Sequence, residues 1–143
     1  MKKLIIVLVG LILLGGVFTA IFSGALTVKD AWARPGTAGD NSAVYFVIDN
    51  RSTSSDQLLS AACDAAMMTQ IHQTTIDASG NASMKEQENV PVTTRGQVNF
   101  KPGGLHVMLM DLKQDLKPGD KLSVTLTFEH AGEVKIEALV REP

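Results

Sequence analysis

The feature that most limits the folds open to this chain is a period of two in its apolar residues. The alternation runs through residues 27–143 and is broken by turn residues about every ten positions. In residues 121–128 four apolar side chains alternate with small polar ones, and residues 134–140 repeat the pattern after a turn at 130–132. Successive strand residues point to opposite faces, so these segments are predicted strands. The chain is therefore expected to be all-β, with an antiparallel β-sandwich.

The first 26 residues have a different pattern. Lys2 and Lys3 precede 23 residues without a charge, residues 4–26. A secretory apolar region is usually about 7–15 residues and a membrane-spanning helix needs about 20, so both interpretations are open. Cleavage after Ala25 would make this segment a signal peptide, whereas an uncleaved helix would anchor the protein with its lysines in the cytoplasm.

Both interpretations export the rest of the chain. We therefore predict two parts, residues 1–26 as signal peptide or N-terminal membrane anchor and residues 27–143 as the folded domain. The expected location is the periplasm or the outer face of the cytoplasmic membrane, with possible membrane attachment through residues 4–26.

The charge of the exported part argues against nucleic acid as a partner. Without Lys2 and Lys3, 11 of the 13 basic residues remain against all 15 acidic ones, and binding to phosphates needs clustered Lys and Arg. The single cysteine, Cys63, cannot form an internal disulfide. We expect it to be a core residue.

Histidine and methionine are the unusual residues of the exported part. In a strand formed by residues 105–110 (LHVMLM), the odd-numbered positions, two leucines and a valine, lie on one face. The even-numbered positions, three possible metal ligands, lie on the other face. We call this division of odd and even positions the parity of a residue. Residues two apart on a face are separated by about 6.6–6.8 Å, so a histidine and a methionine there can share an ion. The residues grouped by this parity are His106, Met108 and Met110 on one strand, and Met68, Gln70 and His72 on the preceding one.

The spacing of four of these residues is similar to the sequence signature of a known family. His72, Met84, His106 and Met108 reproduce, without gaps, the pattern His-x11-Met-x21-His-x-Met. In this the chain resembles the PCu(A)C family of extracytoplasmic copper chaperones. The segments similar to the family are 30–35 (DAWARP), 101–112 (KPGGLHVMLMDL), 116–120 (LKPGD) and 126–129 (LTFE), and the likeness covers roughly residues 27–141. Where the family often has a second methionine after its first histidine, this chain has Gln73.

The resemblance implies a cupredoxin-like Greek-key β-sandwich and a metal site of His72, Met84, His106 and Met108. We expect these four side chains to converge near one exposed end of the sandwich. Imidazole and thioether ligands suit Cu(I), whereas Ca²⁺ and Mg²⁺ prefer carboxylate oxygens. The implied function is a Cu(I) chaperone, not an enzyme. The implied acceptor is the CuA centre of cytochrome c oxidase subunit II, with a Sco-type protein as a further partner.

Two other functions use similar ligands. Periplasmic copper storage or resistance would be served by the same four residues. An electron-transfer cupredoxin needs a His2Cys set, and the only cysteine lies before His72 with none near His106. No hydrolase motif such as G-x-S-x-G or H-E-x-x-H is present.

Parity also gives expectations for residues outside the ligand set. Met67 has the parity opposite to His72 and is expected in the core, and Met110 is expected to line the metal pocket without binding. Trp32 is expected to fill the core, and His130 to lie in a solvated turn.

Overall fold

The structure is a computed structural model that describes residues 25–143, and this part of the chain consists of strands and turns. Within these residues no helix is long and apolar enough to cross a bilayer. The prediction of an all-β fold is confirmed for residues 25–143, while the predicted N-terminal helix lies outside the described residues. The ten strands are β1 (Leu26–Ala33), β2 (Ser42–Asn50), β3 (Asp56–Ala62), β4 (Ala66–Ile76), β5 (Ala82–Glu86), β6 (Val90–Val92), β7 (Gln97–Phe100), β8 (Leu105–Leu112), β9 (Lys121–Phe128) and β10 (Gly132–Val140).

The strands form one hydrogen-bonded sheet in the order β5-β4-β8-β7-β2-β1-β10-β9-β3-β6, and β8 also pairs with β2. The pairs are antiparallel except for β1 with β10 and β7 with β8. Strands from both halves of this order contribute buried side chains to one core cluster. The sheet therefore folds over a single core, with alternate residues on its outer face. Core residues include Val44, Phe46, Ile48, Leu58, Ile71, Val107, Leu109, Val124, Leu126 and Phe128.

The first strand begins at Leu26, which is buried in this core. Farther along β1 the register with β2 shifts between Lys29 and Trp32, and Asp30 lies there with a positive φ of 57°. This bulge changes the parity of the strand, so that Trp32 stands opposite Tyr45.

The bulge explains why one expectation was wrong. Trp32 does not fill the core. It is half-buried and packs against Tyr45 with ring centroids 4.7 Å apart, and the Arg141 guanidinium lies 4.1 Å from its ring centre. Tyr45 alternates with the core residues Val44 and Phe46, which places both aromatic rings on the outer face of the sheet.

Candidate metal site

Strand pairing brings the four predicted ligands to one face of three adjacent strands. His72 on β4 lies directly opposite His106 on β8, and Met108 lies opposite Gln70, two residues along from His72. On the other side of β4, Met84 of β5 lies opposite Thr74, again two residues from His72. Paired residues of antiparallel strands share a face, so all four side chains lie on the outer face of β5-β4-β8. His106 is the second residue of β8, so the site is near one end of that strand.

The two histidines are close enough to share one ion. Their ring centroids are 5.8 Å apart and the rings meet edge to face. His106 is only 3% exposed although it lies on the outer face, with the Tyr45 ring at 6.4 Å on its other side. The donor set is therefore shielded at its centre and open toward Met84, which is 57% exposed.

Hydrogen bonds fix which nitrogen of each ring carries the proton. Nδ1 of His106 lies 3.1 Å from the carbonyl oxygen of Gly104, which can only accept, so this nitrogen donates. Nε2 of His72 donates likewise to Oε1 of Gln70 at 2.8 Å. The remaining nitrogens, Nε2 of His106 and Nδ1 of His72, then carry the lone pairs that a metal requires.

Those two nitrogens are buried and have no hydrogen-bond partner among the described residues. A buried polar atom without a partner costs about 1–3 kcal/mol, and proteins rarely retain one without a reason. A metal ion bound between the two rings would supply the missing partner to both. The donor chemistry thus fits a metal, and the second hydrogen bond of each ring fixes its orientation as is usual for metal-binding histidines.

The site favours a soft cation of low charge. Two neutral imidazoles and two thioethers bring no negative charge, and among residues 25–143 no three His, Cys, Asp or Glu side chains come together as a metal site. The pKa of His106 is lowered, first by burial and further by the charges of His72 and Arg34, although the hydrogen bond to Gly104 opposes this. A lowered pKa keeps the imidazole neutral and able to bind.

A cleft of about 280 Å³ opens beside the donors and is lined by His106, Met108 and Met84. Arg34 and Tyr45 also line it, with the guanidinium 5.7 Å from the centre of the Tyr45 ring. Through this cleft, a donor atom of another molecule can reach the candidate ligands that line it.

Sequence reasoning missed Tyr45 and Arg34 as neighbours of the site, and it gave Gln70 and Gly104 no role. Gln70 could have been found, because it shares parity with His72 at a separation of two residues. Gly104 acts through its backbone carbonyl, which leaves no trace in a side-chain pattern. Tyr45 lies on β2 and Arg34 directly follows β1, both far from the motif in sequence, so only the pairing of β2 with β8 and with β1 reveals them.

Two other expectations are settled by burial. Met67 was predicted to lie in the core but is 66% exposed, so that prediction was wrong. Cys63 is buried as predicted, and burial raises the pKa of its thiol. It lines a cleft with Asp64, Lys113 and Lys135 that contains none of the four candidate ligands.

The family model described as "Putative lipoprotein LpqE-like" matches residues 26–140, nearly the whole described part of the chain. The chain belongs to the LpqE-like family. Its fold is that of PCuAC domains, as the solved structures similar to it show.

The chain resembles the apo PCuAC domain from PmoF1 with 30% identity and a TM-score of 0.71, covering 84% of this chain and 96% of that one. For the copper-bound PCuAC domain from PmoF2 the identity is 27% and the TM-score 0.69, with 84% and 95% covered. The Cu(I) form of DR1885 from Deinococcus radiodurans matches with 29% identity and a TM-score of 0.62, over 82% and 80% of the two chains.

The chain is also similar to a longer bacterial protein. The uncharacterized protein RP573 of Rickettsia prowazekii (strain Madrid E) is 37% identical over 102 residues, or 68% of this chain. The chain spans 56% of the length of that relative.

Proposed function

We propose that this protein is an exported copper chaperone that carries Cu(I) on His72, Met84, His106 and Met108. The observation that carries the proposal is the pair of buried imidazole nitrogens without partners, on two rings whose centroids are 5.8 Å apart. The copper-bound PmoF2 domain and the Cu(I) form of DR1885, which share the fold, support copper as the cargo. Thioether ligands support the oxidation state Cu(I).

The site is suited to reversible carriage. Its ligands need no thiolate, which an oxidising compartment would convert to disulfide. Three donors are on β4 and β8, and the fourth, Met84, is on a strand whose five residues are all exposed. An acceptor can therefore approach the ion from the Met84 side and replace one ligand at a time.

The proposed acceptor is the CuA centre of cytochrome c oxidase subunit II, with a Sco-type protein as partner. Export to the periplasm or the outer face of the membrane is part of this proposal and is supported by the description of the family as lipoprotein-like and by the uncharged residues 4–26. Transfer can be tested by mixing the Cu(I)-loaded chain with the apo form of a subunit II domain and following the CuA absorption. Unchanged absorption would contradict this acceptor.

An anaerobic titration with Cu(I) against a competing chelator tests binding directly. We expect one tight equivalent, and His72→Ala or His106→Ala should weaken its affinity by more than about tenfold. Met84→Leu and Met108→Leu test the thioethers at nearly constant volume. The matched controls are His130→Ala and Met67→Leu, which change an exposed residue outside the site. Equal losses in the controls and the site variants would contradict the ligand assignment.

Copper storage or resistance would use the same ligands, and a deletion strain separates it from delivery. Loss of oxidase activity when copper is scarce supports delivery, whereas sensitivity to excess copper with normal oxidase activity supports storage. Electron transfer of the blue-copper kind is disfavoured, because Cys63 lines a different cleft from Met84, His106 and Met108.

A further inference from the structure

Two methionines outside the proposed ligand set stand opposite each other beside it. Met68 on β4 is paired in register with Met110 on β8. Met68 shares parity with His72, and Met110 with His106 and Met108, so both lie on the same outer face as the site. Met68 is 53% exposed and Met110 is half-buried. Burial in the core therefore does not account for a methionine at position 68.

The geometry lets their sulfur atoms meet. Directly opposite residues of an antiparallel pair have Cβ atoms about 4.5–5.5 Å apart, and diagonal neighbours are about 7–8 Å apart. Methionine is unbranched with three rotatable bonds, so two thioethers at these positions can converge on one ion. Met108 lies between the two sites, two residues from Met110 along β8 and diagonal to Met68.

We propose that Met68 and Met110 form a second, weaker site for a soft monovalent cation, and that Met108 is a ligand shared with the first site. The proposal rests on the proposed function, which supplies Cu(I) as the cargo. The ion moves between the sites by ligand exchange. Bonds to Met68 and Met110 form as the bonds to His72, His106 and Met84 break, while Met108 stays bound. The ion remains Cu(I), and no proton is needed because a thioether does not titrate.

The chain contains a matched control for this proposal. Met67 is adjacent to Met68 in sequence and is also strongly exposed, at 66%. Unlike Met68, it has no methionine opposite it in the register of β4 with β8. Met67 therefore has the same chemistry and accessibility but lacks the paired thioether.

The test is a titration of the full chain, labelled with ¹³C at the methionine methyl groups, with Ag(I) as a redox-inert soft cation. The first equivalent should shift the methyl resonances of Met84 and Met108. The second should shift those of Met68 and Met110 and leave that of Met67 in place. A second equivalent that moves Met67 as strongly as Met68, or that does not bind, would overturn the proposal.

Variants show whether the second site can fail while the proposed copper-binding function still holds. Met68→Leu/Met110→Leu should bind about one equivalent instead of two with the first affinity unchanged, and should release Cu(I) to a chelator more slowly. Met67→Leu should match the wild type in stoichiometry and release rate. An unchanged stoichiometry in the double variant overturns the second site alone. A first equivalent that leaves Met84 and Met108 unshifted overturns the proposed function, whatever Met68 and Met110 do.

Discussion

At the scale of single residues, His106 links the fold to the chemistry of the site. Its ring is held by the Gly104 carbonyl on one side, and the other nitrogen is buried without a partner. Burial lowers the pKa of this imidazole. The unfolded chain therefore binds a proton at a higher pH than the folded chain does, and protonation favours unfolding.

The stability of the copper-free protein should consequently depend on His106. As the pH falls below the ordinary histidine pKa of about 6.5, the unfolded state gains a proton that the folded state does not, and the free energy of unfolding should decrease. Denaturant unfolding at several pH values between 7.5 and 5 measures this slope. His106→Gln should flatten the slope, and His130→Gln, at an exposed turn, is the control. A slope unchanged by His106→Gln would contradict the assignment.

Met67 shows what parity cannot predict. Parity predicted burial for Met67, but its side chain is exposed. The adjacent Ala66, which has the parity of His72, lies in the core instead, so the alternation of buried and exposed residues does not hold at this end of β4. Met67→Ala should therefore change the free energy of unfolding by no more than about 0.5 kcal/mol. Leu109→Ala, at a fully buried position of β8, should cost about 2–5 kcal/mol in the same denaturation experiment.

At the scale of elements, the bulge in β1 decides which face of the sheet Trp32 occupies. Asp30 adopts a positive φ of 57° inside this strand, a conformation that asparagine, aspartate and glycine tolerate and β-branched residues do not. The extra residue reverses the parity, so Ala33 enters the core and Trp32 packs on Tyr45 beside the candidate metal site.

Substitutions at Asp30 test the role of the bulge. Asp30→Gly should preserve stability, because glycine adopts this φ without strain. Asp30→Val should lower the free energy of unfolding by about 1–3 kcal/mol. Denaturant unfolding followed by Trp32 fluorescence gives the stability and reports on the surroundings of the ring. Equal stability of the two variants would show that the bulge is not needed.

The strands that could be predicted are those with clean alternation. The segments read from the sequence became β9 and β10, paired in register from Gly132 with Phe128 to Leu139 with Lys121. Alternation likewise predicted that His106 and Met108 share a face, because the face of a residue within one strand depends only on its position in that strand. The position of β5 next to β4, which brings Met84 to the site, depends on pairing. The bulge at Asp30 leaves no mark in the period-two pattern, so the neighbours of the site from β1 and β2 could not be predicted.

At the scale of the whole molecule, an ion on these four residues would connect three strands of the sheet. Binding only to the folded state stabilises that state, by about 4.1 kcal/mol at a free ligand concentration 1,000 times Kd. Anaerobic thermal unfolding should therefore show a higher Tm with Cu(I) than without it. In His72→Ala/His106→Ala the increase should be much smaller. A similar increase in this double variant would indicate binding elsewhere.

The edge position of β5 has a consequence for how long copper stays bound. This strand is exposed along its whole length and is hydrogen-bonded only to β4 among the described strands. Local fraying at a sheet edge costs far less free energy than unfolding of the core. The release of Met84 from the ion should thus follow the fraying of one hairpin, and mutations deep in the core should lower the melting temperature while leaving the rate of that first step nearly unchanged.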